Sequence, residues 1–490
     1  MSNRIVPFFF IATLCLVPAS ASMAQMLDYR ADYAVGDSPE GLAIGDLNGD
    51  GSPDVVTANF SGGNISVLLS NGDGTFQNAV NHSVGSRLRS VAIGDLGGDG
   101  SPDLVIGNDG VSVHDVYVLI GNADGTFQSA LTYYAGGQCI DVAIDDFDND
   151  GHPDLAVANG SYDRVAILLN DGDGTFGSPA FYAAGNLVSS VVAGDLNGDG
   201  HTDLAAICVL DWVVQAWLGN GDGTFQDAVS YSTGGHSYNL AIDDLDGDGN
   251  LDIAVANWGN DTVSILLGNG DGTFQGVVHY GAYYEPRAIA IGDLDGDGVP
   301  DLAVANYTPA VSTLLGNGDG TFQTPVTYTG GYSYTYNVAM GDLDGDGNPD
   351  VAVANRGLDE AVVLLNRDKT LSAQMDCTPS SGTLPFTTQM SVSLTNVYPE
   401  QVRRLSARIN IDLAGGGSIG NWRAGWTNLN PGESLNTVWG QNLPAIGSLV
   451  GTSAFTLEAQ DVTIAPFNQP PYPMAGDTAS DVCAIQGFAP

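Results

Sequence analysis

The chain is 490 residues long, too long for one small domain, and carries 13 Lys and Arg against 57 Asp and Glu for a formal charge of -44. A surface of that sign repels nucleic-acid phosphates and anionic lipid headgroups, which excludes both as partners held by bulk electrostatics. Disorder is excluded too, because 43% hydrophobic residues and 66 glycines describe a turn-rich folded chain. An acidic excess of this size calls for cations.

Residues 1–24 read as a secretory signal peptide. Arg4 supplies the positive start, Ile5 to Val17 an apolar stretch too short to span a bilayer, and Ala19-Ser20-Ala21 or Ser22-Met23-Ala24 a small-residue cleavage site. No later stretch is long and apolar enough to insert in a membrane. The expectation is export to the medium or the cell surface through a cleaved signal. In that oxidising compartment Cys377 and Cys483, which bracket the C-terminal region, are expected to pair, while Cys139 and Cys208 read as separate small core residues.

From residue 25 to 370 the chain repeats one unit. Seven acidic segments, from Asp46-Leu47-Asn48-Gly49-Asp50-Gly51 to Asp342-Leu343-Asp344-Gly345-Asp346-Gly347, start 49, 51, 49, 49, 49 and 49 residues apart. An apolar run precedes each segment and another follows it. A third run leads into a turn of the form Asn269-Gly270-Asp271-Gly272-Thr273-Phe274, and a fourth, less apolar run holds a tyrosine six residues after that phenylalanine in most copies. Asn-Gly and Asp-Gly between β-branched runs signal hairpins, and no segment sustains helical periodicity. Four-stranded units of this length, repeated seven times, predict an all-β fold with a seven-bladed β-propeller. The seventh copy loses the turn (Asn366-Arg367-Asp368-Lys369-Thr370), and Asp28 to Gly36 matches a fourth strand, so the N-terminal segment is expected to close the ring. From 371 to 490 the repeat stops, and alternating runs broken by Pro and Gly predict a small β-sandwich domain.

Each acidic segment follows D-x-[DN]-x-D-G-x-x-D, with side-chain oxygens at positions 1, 3, 5 and 9, a backbone carbonyl at 7, and a glycine at 6 for the sharp turn. The candidate metal ligands are Asp46, Asn48, Asp50, Ser52 and Asp54; Asp95, Asp99, Ser101 and Asp103; Asp146, Asp148, Asp150, His152 and Asp154; Asp195, Asn197, Asp199, His201 and Asp203; Asp244, Asp246, Asp248, Asn250 and Asp252; Asp293, Asp295, Asp297, Val299 and Asp301; and Asp342, Asp344, Asp346, Asn348 and Asp350. Oxygen cages on flexible loops suit Ca2+ over Mg2+, so up to seven calcium ions are expected, with the second site weaker because Gly97 stands at position 3. Full ligation by protein leaves no open coordination position, so the metal is expected to staple turns and not to catalyse.

At these loops and at the six Asp-Gly-Thr-Phe turns, Asp73–Phe76 through Asp319–Phe322, the sequence resembles the FG-GAP-like (VCBS-type) repeat family, whose best-known members form the calcium-bearing propeller of integrin alpha subunits. The resemblance covers residues 28–370. It implies an extracellular recognition, adhesion or lectin-like module. With the metal loops on one face, the opposite face gathers aromatics and arginines, of which Phe60, Tyr162, Trp212, Trp258, Tyr307, Arg287 and Arg356 are candidate contacts for a glycan or protein ligand. The histidines are scattered, and no nucleophile elbow or phosphate-cradling loop is present. The chain is therefore read as a non-catalytic, monomeric recognition module. The alternatives are a polysaccharide hydrolase or lyase acting on that same face, or a purely structural surface protein.

Overall fold

The computed structural model describes residues 27, 29–110, 115–307, 310–329 and 333–366, and in the C-terminal region the backbone of seven strands. The chain divides into two compact units after Arg367. The first unit consists of seven four-stranded antiparallel sheets. Blade 1 shows the pattern: an inner strand Pro39–Gly45, a second strand Asp54–Asn59, a third Asn64–Leu68 and an outer strand Val80–Ser83, paired in that order.

The second strand of every blade is buried along its whole length, as in Asp154–Asn159 and Asp301–Asn306. A neighbouring blade covers each of its faces, so these strands read as continuous apolar runs and not as alternation. Seven hydrophobic clusters follow, each shared by two adjacent blades, and one of them joins Leu42, Val55 and Phe76 of blade 1 to Leu343, Val363 and Leu365 of blade 7. The ring is closed.

Closure is made by the N-terminal strand. Tyr29–Ala34 pairs antiparallel with Glu360–Leu365, in register from Tyr29 opposite Leu365 to Ala34 opposite Glu360, and so becomes the outer strand of blade 7. The same aromatic contact recurs around the ring. In five blades the tyrosine of the outer strand meets the turn phenylalanine of the next blade edge-to-face, as in Tyr133–Phe176 at 5.2 Å and Tyr231–Phe274 at 5.1 Å. Tyr33 makes this contact with Phe76 at 5.4 Å, so the N-terminal strand supplies the link that the seventh repeat cannot. In blade 1 the tyrosine is replaced by His82, which packs on Phe127 at 5.9 Å.

The Asp-Gly-Thr-Phe turn explains its own spelling. Thr273 N–H donates to the Asp271 carboxylate at 3.0 Å, and the Asn269 amide donates to the Thr273 hydroxyl at 2.9 Å. Gly272 has φ +77°, and a Cβ there would strike Leu218 of the preceding blade, so only glycine fits.

The C-terminal strands form a three-stranded sheet, with Thr387–Thr395 between Ser372–Pro379 and Ser434–Asn442, and a four-stranded sheet around Val402–Asp412 and Thr452–Ile464. The expected face-to-face sandwich, the Cys377–Cys483 bridge and the signal peptide lie outside the described residues. Cys139 and Cys208 are both buried and unbridged, and burial pushes the Cys208 thiol up to about 12. No described helix is long and apolar enough to cross a membrane.

Candidate functional site

The antiparallel sheets put two kinds of loop at opposite ends of the propeller. At one end, each acidic loop joins an inner strand to a second strand and folds on its own carboxylates. In the fifth loop the Asp244 carboxylate accepts from the backbone N–H of Gly247, Asp248 and Gly249 at 2.8, 3.1 and 2.9 Å. The N–H of the position-7 residue donates to the position-5 carboxylate in all seven loops: Ser52 to Asp50, Ser101 to Asp99, His152 to Asp150, His201 to Asp199, Asn250 to Asp248, Val299 to Asp297 and Asn348 to Asp346. Because the backbone N–H makes this bond, the loop demands no particular side chain at position 7, and serine, histidine, asparagine and valine all occur there; Asn348 adds a side-chain bond to Asp346 at 3.0 Å. His201 uses its ring instead to meet Asn149 of the preceding blade's loop at 2.8 Å.

The position-9 aspartate is buried and tied at both oxygens. Asp252 accepts from Leu245 N–H at 2.9 Å and from Gly268 N–H at 2.7 Å, anchoring the acidic loop to the start of the third-to-fourth-strand turn. Burial, reinforced by neighbouring carboxylates, pushes this carboxyl up to about 6 in Asp54, Asp154, Asp203 and Asp252 and to about 7 in Asp301 and Asp350; Asp103 is raised as well.

Carboxylate oxygens converge to within 4.8 Å in four loops: Asp146, Asp148 and Asp154; Asp244, Asp246 and Asp248; Asp293, Asp295 and Asp297; Asp342, Asp344 and Asp350. In the other three loops Asn48, Gly97 and Asn197 stand at position 3, so fewer carboxylates are available there. Hard-oxygen donors crowded this closely, with Asp148, Asp246 and Asp295 raised by burial and by their acidic neighbours, fit a divalent cation.

At the opposite end the inner strands do something that the repeat alone does not announce. Each contains a β-bulge: the register with the second strand skips one residue between Pro39 and Gly41, Leu88 and Ser90, Cys139 and Asp141, Val188 and Ser190, Ser237 and Asn239, Pro286 and Ala288, and Thr335 and Asn337. The skipped residues are Glu40, Arg89, Ile140, Ser189, Tyr238, Arg287 and Tyr336, one from each blade. All seven line a single cavity of about 60 Å³ at the axis. A bulge re-aims a side chain that regular pairing would turn into the sheet, and it does so here seven times.

Glu40 is buried in that ring between two guanidiniums, with Arg356 Nε at 3.0 Å and Arg89 Nε at 3.8 Å. Burial raises its carboxyl, and Arg89 and Arg356 hold it down in part. Asp109 takes Arg89 at 2.8 Å and Arg87 at 3.3 Å. Arg287 lies over the rings of Tyr238 at 4.2 Å and Tyr336 at 4.1 Å, and Arg356 over Tyr336 at 4.8 Å and Phe60 at 5.8 Å. Trp258 joins the chain edge-on to Tyr238 at 6.1 Å, and Tyr307 edge-on to Tyr336 at 5.7 Å.

Of the residues expected on this face, the structure therefore brings Phe60, Trp258, Tyr307, Arg287 and Arg356 into one cluster. It keeps two apart. Trp212, 47% exposed, packs on His236, and Tyr162, 52% exposed, sits under Arg164. Arg89, Tyr238 and Arg287 lie on the inner strands Leu88–Gly94, Ser237–Asp243 and Pro286–Gly292, because strand pairing resumes beyond each bulge. Sequence reasoning missed Glu40, Asp109, Asp141 and Tyr336. A signal existed for the ring: its members all stand six residues before the first aspartate of an acidic loop.

The FG-GAP-like repeat profile matches residues 46–106, 95–157, 146–206, 205–255, 244–304 and 300–353. Among solved structures, a BBS1N chain crystallised with ARL6DN and soaked with lead superposes with a TM-score of 0.50 at 12% identity, covering 69% of this chain and 95% of that one. A functionally unknown protein from Desulfotomaculum acetoxidans DSM 771 gives 0.45 at 12% identity, covering 80% and 100%. At such identities the likeness is one of fold alone. No curated protein matches.

Proposed function

The chain belongs to the FG-GAP-like repeat family, and from that premise we propose that it is an exported, calcium-stapled propeller that recognises a glycan or protein ligand without catalysis. The observation that carries this reading is the cluster of Phe60, Trp258, Tyr307, Arg287 and Arg356 around the axial cavity, on the end away from the acidic loops. Aromatic faces interleaved with guanidiniums stack on sugar rings and anchor side chains by burying large area at small entropic cost.

Calcium's part is structural. Positions 1, 3, 5 and 9 would hold the ion together with the position-7 carbonyl, and the ion supplies charge neutralisation that lets carboxylates crowd one short turn. Since the position-9 carboxylate also receives N–H groups from the third-to-fourth-strand turn, neutralising the loop stabilises the blade's two hairpins at once.

The test is a glycan array and a panel of extracellular-matrix proteins probed with the calcium-loaded protein and with its Trp258→Ala, Tyr307→Ala and Arg287→Ala variants. Binding that falls at least tenfold in these variants, with unfolding temperatures held, is the expected result. Turnover of any polysaccharide by the wild-type protein would replace recognition by catalysis. Binding that survives all three substitutions would move the ligand away from this face.

A further inference from the structure

Four of the chain's 13 basic residues gather around the axial cavity: Arg89 and Arg287 line it, Arg356 reaches its Glu40, and Arg87 shares Asp109 with Arg89. Three carboxylates face them, and each is already engaged. Glu40 holds Arg356 and Arg89, Asp109 holds Arg89 and Arg87, and Asp141 accepts from the Ser190 hydroxyl at 2.7 Å and from the N–H of Val142 and Val191 at 3.0 and 3.3 Å. Arg287 is left over. Among the described residues it makes no ion pair and no hydrogen bond; Tyr238 and Tyr336 from the blades on either side and Tyr307 of its own blade lie against it, and Glu40 acts on its charge across the cavity without pairing with it.

The magnitudes make this an incomplete arrangement. Cation–π contacts contribute about 0.5–2 kcal/mol each, whereas removing a charge from water without a directly paired counter-ion costs several kcal/mol, and Glu40, already paired with Arg356, acts on Arg287 only at a distance. Two further atoms in the same cavity have no hydrogen-bond partner: the buried Ser90 hydroxyl, and Glu40 Oε2, which meets Arg89 Nε only at 3.8 Å and can accept from a ligand hydroxyl. Rings against a guanidinium's faces leave its N–H edge, and that edge matches the two oxygens of a planar anion.

We propose that the axial cavity is a carboxylate-binding site in which Arg287 receives a uronate, the acidic sugar at the end of a glycan chain. Charge selects a monoanion such as a carboxylate over a phosphate monoester. Four guanidiniums against three carboxylates leave a surplus of one positive charge, which a monoanion balances and a dianion overshoots. Size allows the acidic end of the sugar, since about 60 Å³ holds roughly four to six water-sized groups at 10–15 Å³ each, enough for the carboxylate and its neighbouring hydroxyls with the rest of the ring at the mouth. Of the rest of the lining, Ser90, Ser189, Asn239 and Asn337 are short, neutral and polar, donors and acceptors suited to sugar hydroxyls, and only Ile140 and Ala288 are aliphatic, little apolar surface to seat a peptide's neighbouring side chain. The chain's overall negative charge does not forbid this, because the acidic loops lie at the other end of the propeller and their field at the cavity is screened within about 8 Å at physiological salt.

This inference rests on the recognition reading above and narrows it to one ligand class. The test is calorimetric titration of the full calcium-loaded protein with galacturonate- and glucuronate-terminated oligosaccharides, with the methyl esters of the same sugars, and with a short aspartate-containing peptide. The wild-type protein should bind the acids at least tenfold more tightly than the esters, a comparison that needs no variant. Arg287→Gln should bring the acids down to the level of the esters, and Arg287→Lys should restore part of the preference. Equal binding of acid and ester overturns the inference, as does tighter binding of the peptide. Glycan binding that Trp258→Ala abolishes but that shows no preference for the acid would sink the carboxylate site while leaving recognition standing. No binding of any glycan would sink both.

Discussion

The two ends of the propeller are built from the same repeat and have opposite histories of constraint. At the acidic-loop end, all seven copies keep the same carboxylate-to-backbone bonds, and the anchoring aspartate is buried in every blade. At the axial end, seven equivalent bulges present glutamate, arginine, isoleucine, serine, tyrosine, arginine and tyrosine. A repeated position that must hold a cation or close a turn tolerates few residues. A repeated position that only has to face a cavity tolerates any, so an asymmetric ligand surface can be written on a symmetric scaffold.

The largest effect should come from breaking the ring that both ends share. Deleting residues 27–36 removes the outer strand of blade 7 together with the Tyr33–Phe76 contact, and the truncated chain should fail to fold as judged by gel filtration and circular dichroism. A soluble, cooperatively melting truncate would show that closure by this strand is dispensable.

Next is the acidic end. Calcium binding to the folded state contributes about 2.7 kcal/mol per site at a free concentration a hundred times Kd, so chelation should lower the unfolding temperature by well over ten degrees, and magnesium should restore little of it. A melt indifferent to calcium would remove the metal from the loops. Within that end the copies differ: Asp248→Asn should cost a full calcium equivalent in equilibrium dialysis, whereas Asp99→Asn, in the loop with Gly97, should change the stoichiometry least.

Between the ends, Phe274→Ala removes a buried ring and its edge contact with Tyr231, and should destabilise by about 3–5 kcal/mol in denaturant titration. Its effect should leave ligand affinity per folded molecule unchanged, which separates scaffold from site.

The smallest expected effect concerns Asp141 at the axial end. Burial raises its carboxyl from 3.8 to about 6 in the folded protein. The folded state therefore holds this proton more tightly than the unfolded chain, and the group's contribution to stability is complete below about pH 4 and lost as pH rises through 6. Asp141→Asn should stabilise the calcium-loaded protein at pH 7 by at most about 3 kcal/mol and flatten the wild-type-minus-variant difference above pH 6. A difference that grows in the opposite direction would show that the carboxylate is stabilised, not strained, in its bed of Ser190 and backbone N–H groups.

Much of this was legible in the residues alone. The spacing of the acidic loops set the blade number, the Asn-Gly-Asp-Gly-Thr-Phe turns set the third hairpin, and Tyr33 and Gly36 identified the closing strand, because each of these depends on local chemistry that recurs at a readable period. The aromatic character of the axial face was legible too, through Trp258, Tyr307 and Arg287. Two kinds of fact were not. Which of those residues meet was hidden, since Trp212 and Tyr162 carry the same signature as Trp258 and find separate partners. The axial ring itself was hidden as well, because Glu40 and Tyr336 look unremarkable within apolar runs.

The sequence by itself determined the seven blades, their closure and the acidic loops, since turns, strands and carboxylate clusters are decided within a few consecutive residues. Only the tertiary structure decided the cavity, because it is made from one residue per blade, some 49 positions apart along the chain, aimed at a common axis by a bulge that exists only once two strands have paired.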